Sequence, residues 1–239
     1  MTPLDNILWN CLAGPHARYA LGTGAVRRYA DGFSPIVGFA DPTQPDFEAL
    51  AHCAAIGEAF YCDRWVGPCP RGWSILSQAL MCKMVHAGPV PPCTSSYQPV
   101  ALTDADVPAA LALTALTKPG PFGPRTIELG AYFGCFVDGA LVAMAGERLQ
   151  YGAWQEISGV CTAPAHQGRG YAALLVTHLL QRQAARNQRP FLHVMSANTR
   201  GRALYARLGF THYMETTVRV VARNEDGNTS AHYRGCNRV

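Results

Sequence analysis

The chain has 239 residues and a mass of 25.8 kDa, and its hydrophobic content of 49% is enough to bury a core in one large domain or two modest ones. Its formal charge of +4 comes from 18 arginines and two lysines, Lys83 and Lys118, with no run of like charge, which argues against a nucleic-acid-binding footprint. No signal pattern precedes the nine cysteines and no apolar run is long enough to cross a bilayer, so a cytoplasmic chain with free thiols and no membrane contact is expected.

The cysteines are odd in number and form no C-x-x-C pair, so no metal is expected. In chain order, "TPLDNILWNCL" reads as an amphipathic helix and "QPDFEALAHCAAIGEAFY" as a second. "GPCPRG" then breaks the chain between short apolar segments. Residues 1–86 carry no chemistry-bearing spacing and read as a cap or a degenerate half of the fold. "HAGPVPPCTSSYQP", His86 to Pro99, reads as a Pro-rich linker. Three divisions result: an N-terminal region over 1–98, a functional domain over 99–222 and a tail over 223–239.

After the linker, Val100 to Leu102 is a short strand, and Thr103 caps a helix running to about Thr117, with Asp104 and Asp106 favourable to its dipole. A Pro/Gly loop over Thr117 to Thr126 follows. "AYFGCFVDGALVAMAGERL" then gives two strands joined at Asp138-Gly139, a two-residue hairpin signal. Trp154 to Thr162 adds a third strand to the meander. Gly170 to about Asn187 is a helix with Ala172, Leu175, Val176, Leu179 and Gln183 on one face and Thr177 and Gln181 on the other. Pro190 to Met195 is an apolar strand, "TRGRALYARLGF" a helix, and "YMETTVRVVA" a closing strand. The order implies an α/β fold, a sheet with helices on its faces, preceded by an additional N-terminal α/β region.

The strand-to-helix junction Gln167-Gly168-Arg169-Gly170-Tyr171-Ala172 carries the chemistry. The first turn of a helix leaves its N–H groups unpaired and partly positive, and glycines let an anion approach them closely. A dinucleotide fingerprint would need a third glycine, and a P-loop a lysine; neither is present. What matches is the form Gln/Arg-x-x-Gly-x-Gly/Ala, here Gln167, Gly170 and Ala172, followed one strand later by "NTRGRALYARLGF". With both motifs in this order, residues from about Pro99 to Ala222 resemble the GNAT superfamily of acyl-CoA-dependent N-acyltransferases. "PGPF", "MAGER", "GVCT" and "PFLHV" look like its bacterial branch near the glycine N-acyltransferase-like proteins.

The resemblance implies the GNAT fold, with a mixed, mostly antiparallel central sheet flanked by helices, and acetyl-CoA as the acyl donor. Its pyrophosphate would sit at Gln167, Gly168, Arg169, Gly170, Tyr171 and Ala172, its pantetheine arm along Val160, Cys161 and Thr162, with a further contact at Asn198. It also implies direct attack by the amine of a small molecule or protein, with Glu156 as general base and Tyr205 as the acid that protonates the departing sulfur. Apolar surroundings are expected to raise the pKa of Glu156 toward a useful range. Glu147 could share the base role through a water, with Arg148 alongside it as an ion-pair partner. Arg125 could grip a substrate carboxylate but reads better as a surface arginine. His193, alternating with Phe191 and Met195, reads as a hydrogen-bonded core group. The family often dimerises through sheet edges or C-terminal strands, so a homodimer is an expectation of the resemblance. The competing reading is a CoA-binding module without turnover, whose N-terminal half binds a partner protein.

Overall fold

A computed structural model describes residues 2–92 and 97–225, so most of the expected tail lies outside the described residues. A 3-10 turn, Pro3–Asn6, leads into α1 (Ile7–Ala13), whose Ile7, Cys11 and Leu12 are buried. β1 (Ala20–Leu21), β2 (Val26–Tyr29) and β3 (Val37–Phe39) form a small antiparallel sheet. Asp46 caps α2 (Phe47–Ala51) by accepting a hydrogen bond from the Ala49 amide at 2.8 Å. β4 (Ala59–Asp63), β5 (Trp73–His86) and β6 (Val100–Ala101) follow. The remainder is α3 (Val107–Thr117), β7 (Tyr132–Val137), β8 (Ala140–Tyr151), β9 (Trp154–Thr162), α4 (Tyr171–Ala185), β10 (Arg189–Met195), α5 (Thr199–Arg207) and β11 (Phe210–Arg223).

From β6 onward the elements fall where the sequence pattern puts them. Asp138 and Gly139 turn β7 into β8 with φ of 49° and 77°, the paired positive values that a two-residue hairpin requires. α4 buries Leu175, Val176, Leu179, Leu180 and Gln183, and it also buries Thr177, which the pattern assigns to the opposite face. Before β6 the outcome differs. The second predicted helix is helical only over Phe47–Ala51, and its end becomes β4 because Ala59 to Asp63 pair with Ala222 to Val218 of the last strand.

Eight strands form one sheet in the order β4-β11-β5-β10-β9-β8-β7-β6. Only β9 and β10 run parallel; the other neighbours are antiparallel. The sheet crosses the division expected at residue 98, because β5 lies between β10 and β11, with Phe191 opposite Val85 and Thr211 opposite the same residue on the other side. Local periodicity cannot register such a pairing, since both partners lie more than a hundred positions away in sequence. Two cores result. On one face α4 packs on Ile157 and Leu192, and on the other α1 packs with Leu4, Tyr29, Leu149 and Phe191.

Candidate active site

β9 and β10 pair only from Trp154 to Glu156 and from Arg189 to Phe191, and then they part. β9 also leaves β8 briefly: Met144 faces Cys161 and Gly146 faces Ser158, so Gly159 and Val160 bulge opposite the single residue Ala145. Gly159 takes a φ of 64°, which an L side chain rarely adopts. The bulge breaks the two-residue alternation of a regular strand, and Ser158, Gly159, Val160, Cys161 and Thr162 all line a cleft of about 820 Å³ that opens where the strands separate.

One end of the cleft is the start of α4. Gly168 and Gly170 hold φ of 79° and 85°, and nothing lies within 4 Å of where a Cβ would stand on either. The amides of Gly168, Arg169 and Gly170 find no backbone acceptor among the described residues. The result is a cradle of unpaired N–H groups at a helix N-terminus, with space in front of it, which suits a phosphate. Gln167 braces the loop, donating from Nε2 to the Thr162 carbonyl at 3.3 Å and accepting from Arg200 at 2.9 Å. Gln167, Gly168, Gly170, Tyr171 and Ala172 line the cleft, whereas the exposed Arg169 does not. Thr162 Oγ1 and His166 Nδ1, both in the wall, are buried without a partner. These orphaned groups and the glycine-lined space fit the phosphate and amide-bearing arm of an acyl-coenzyme A.

Tyr205 and Asn198 reach the same cleft from α5. The Tyr205 ring meets Phe210 edge-on at 6.0 Å, and burial, with a smaller contribution from Cys161, pushes its phenol up to about 12. Such a phenol keeps its proton at working pH and can donate it. Asn198 caps α5, its Oδ1 accepting from the Gly201 amide at 2.8 Å. Burial also pushes the Cys161 thiol up to about 11, so it is held as a thiol rather than activated as a nucleophile.

Glu156 does not have the apolar surroundings expected of it. Its side chain is 1% exposed and lies against the Arg148 guanidinium, which donates from Nε to Oε2 and from Nη2 to Oε1, each at 2.9 Å. The Leu149 amide donates to Oε2 at 3.1 Å, and His193 Nδ1 lies 2.7 Å from Oε1. Burial opposes ionisation, but the charge of Arg148 and the hydrogen bonds from His193 and Arg148 outweigh it, holding the carboxyl far below the ordinary range instead of raising it. Glu156 is absent from the cleft wall, whereas Arg148 and His193 are in it.

Glu147 is buried toward the other face, where it pairs with Gln183 and Arg186 rather than with its neighbour Arg148. Arg125 is bound by Glu128 at 2.7 Å, stacks on Phe33 and does not line the cleft. The far end of the cleft is built from residues that carry no motif: Leu8, Ile36, Tyr61, Asp63, Met81 and Val218. Arg148 could have been found, because a hairpin turning at Gly152 brings it beside Glu156; no signal in the sequence marks the others.

A model of the FR47-like protein family matches residues 132–220. Among solved structures, a GNAT-family protein from Novosphingobium aromaticivorans is 31% identical, with a TM-score of 0.85 over 94% of this chain and 100% of that one. The GCN5-related N-acetyltransferase from Kribbella flavida, 18% identical, shares the fold with a TM-score of 0.57 over 93% of each chain. A GCN5-related N-acetyltransferase-like protein from Streptococcus suis, 14% identical, does so at 0.58 over 91% of this chain and 92% of its own. A comparison with curated proteins finds no match.

Proposed function

The chain belongs to the GNAT superfamily, and on that premise we propose that it transfers the acetyl group of acetyl-CoA to a primary amine of a small molecule or protein within a ternary complex. The observation that carries this reading is that the amide cradle of α4, the parting of β9 from β10 and the Tyr205 phenol all open into one cleft. In it, the amides of Gly168 to Ala172 hold the pyrophosphate, with Gln167 fixing the loop. The backbone of Val160, Cys161 and Thr162, at the bulge and just beyond it, meets the pantetheine amides, and Asn198 borders the same channel.

Donor binding at one end leaves the thioester near the separation of the strands, and the acceptor enters from the end lined by Tyr61, Asp63 and Met81. The segment before residue 98 therefore has a role in this reading: it forms the acceptor chamber against the domain over 99–222. Tyr205 supplies a proton to the departing sulfur. Direct transfer is preferred to an acyl-cysteine route because Cys161, the cysteine beside the bulge, is pushed up rather than down. Incubating the protein with acetyl-CoA and a panel of primary amines, and following thiol release, tests the proposal. Amine-dependent release is expected, and its absence with every amine overturns it.

A further inference from the structure

We propose that His193, rather than Glu156, is the base that accepts the proton of the attacking amine, and that Glu156 is the positioning residue that fixes its ring. This inference rests on the acyl-transfer reading above. The observations that lead to it are independent of that reading.

Both oxygens of Glu156 are already occupied. Oε1 receives Arg148 Nη2 and His193 Nδ1, and Oε2 receives Arg148 Nε and the Leu149 amide. A carboxylate that is 1% exposed, paired with a guanidinium and filled by four donors has no lone pair to offer a substrate. The ring beside it is in the opposite condition. His193 Nε2 is buried without a hydrogen-bond partner, and the ring forms part of the cleft wall. A buried ring nitrogen without a partner is uncommon enough to need a reason.

The tautomer follows from the partner. An ionised Glu156 can only accept, so Nδ1 carries the hydrogen of the 2.7 Å contact, and in a ring with a single hydrogen the lone pair sits on Nε2. Position agrees with chemistry. His193 lies two residues beyond Phe191, the last residue of β10 to pair with β9, and so stands where the strands part. Arg148 compensates the charge of Glu156 and locks it in place by its two-pronged contact.

The step balances within the cleft. As the amine nitrogen bonds to the thioester carbon, it loses a proton to Nε2. The carbon–sulfur bond then breaks, and the sulfur takes the proton of the Tyr205 phenol. The imidazolium returns its proton to the phenolate through solvent, so the net change is transfer of the amine hydrogen to sulfur.

His193→Asn is the discriminating variant, since an asparagine amide can still donate to Glu156 but has nothing in place of Nε2. With acetyl-CoA and the same amine panel, we expect kcat to fall about 100-fold or more while CoA affinity, measured by calorimetry, is unchanged. Undiminished turnover in His193→Asn, with an active parent enzyme, overturns the base assignment and leaves acyl transfer standing. A parent enzyme that releases no thiol with any amine overturns acyl transfer itself. A second measurement needs neither an acceptor nor a variant: long-range 15N–1H spectra of the CoA-bound protein should show His193 protonated at Nδ1 and bare at Nε2. A ring protonated at Nε2 overturns the assignment. In Glu156→Gln the amide no longer dictates one tautomer, so a mixture is expected together with a kcat loss smaller than that of His193→Asn. An unchanged single tautomer overturns the positioning role.

Discussion

Replacing Gly170 with valine should weaken coenzyme binding far more than replacing the arginine beside it. Gly170 holds a φ of 85° and has nothing within 4 Å of its missing Cβ, so the folded chain has room for a side chain but little conformational tolerance for one. The positive φ costs a β-branched residue roughly 1–3 kcal/mol of stability. The added carbons also occupy the space in front of the free amides. Loss of one charge-assisted amide bond, worth about 1.5–3 kcal/mol, weakens affinity by about 10-fold to 100-fold. Arg169→Ala leaves the backbone untouched, and its exposed side chain stands outside the cleft wall, so a change within about twofold is expected. Calorimetric titration with CoA gives both values, and melting temperatures separate the strain from the lost contact. If Arg169→Ala is the more damaging change, the backbone cradle is the wrong account of this loop.

Tyr205→Phe should lower kcat by about 100-fold with CoA affinity preserved, and an unchanged kcat would remove the phenol from the reaction. Because the phenol is pushed up to about 12, no loss of rate from its deprotonation is expected until the pH approaches that value. Arg148→Met strands a buried carboxylate and should cost about 3–5 kcal/mol in urea denaturation, while the double variant Arg148→Met/Glu156→Leu should recover most of it; simple additivity would refute the pairing. His16 is buried against the Tyr29 hydroxyl at 2.8 Å, and burial, with a smaller push from Arg18, lowers its pKa from 6.5 to about 4. The folded state therefore binds fewer protons than the unfolded chain between these values, so the contribution is complete above pH 6.5 and declines as the pH falls to 4. The loss is roughly 3 kcal/mol at most and should be missing from the melting curves of His16→Leu.

How much of this was legible in the sequence depends on how far each contact reaches along the chain. The Asp138-Gly139 turn and the Gly168 to Ala172 loop announce themselves because local backbone geometry demands those residues. β5 does not: its middle, Leu76 to Leu80, is exposed, and its register is set by β10 and β11, so neither alternation nor turn chemistry marks it as one long strand. The site divides in the same way. Glu156 stands on the strand where the motif puts it, but whether it is a free carboxylate or an occupied one depends on Arg148 across a hairpin and His193 on another strand. The hairpin at Gly152 announces Arg148 as a neighbour of Glu156, but nothing in one dimension announces His193. The far end of the cleft, drawn from α1, β4, β5 and β11, has no motif because its residues are brought together only by the completed sheet.

The placement of β5 between β10 and β11 also governs how the molecule comes into being. As the chain is synthesised, β4 and β5 appear before either neighbour exists, with Leu76 and Leu80 on a strand that lacks both partners. Contacts this distant in sequence are slow to form, because the intervening loop must be closed before any of them contributes. Until then, β5 presents two unpaired edges to any other extended segment, the condition under which nascent chains associate wrongly. Phe210–Arg223 ends that exposure by pairing with β4 on one side and β5 on the other, so the far end of the cleft is assembled only after β11 has left the ribosome.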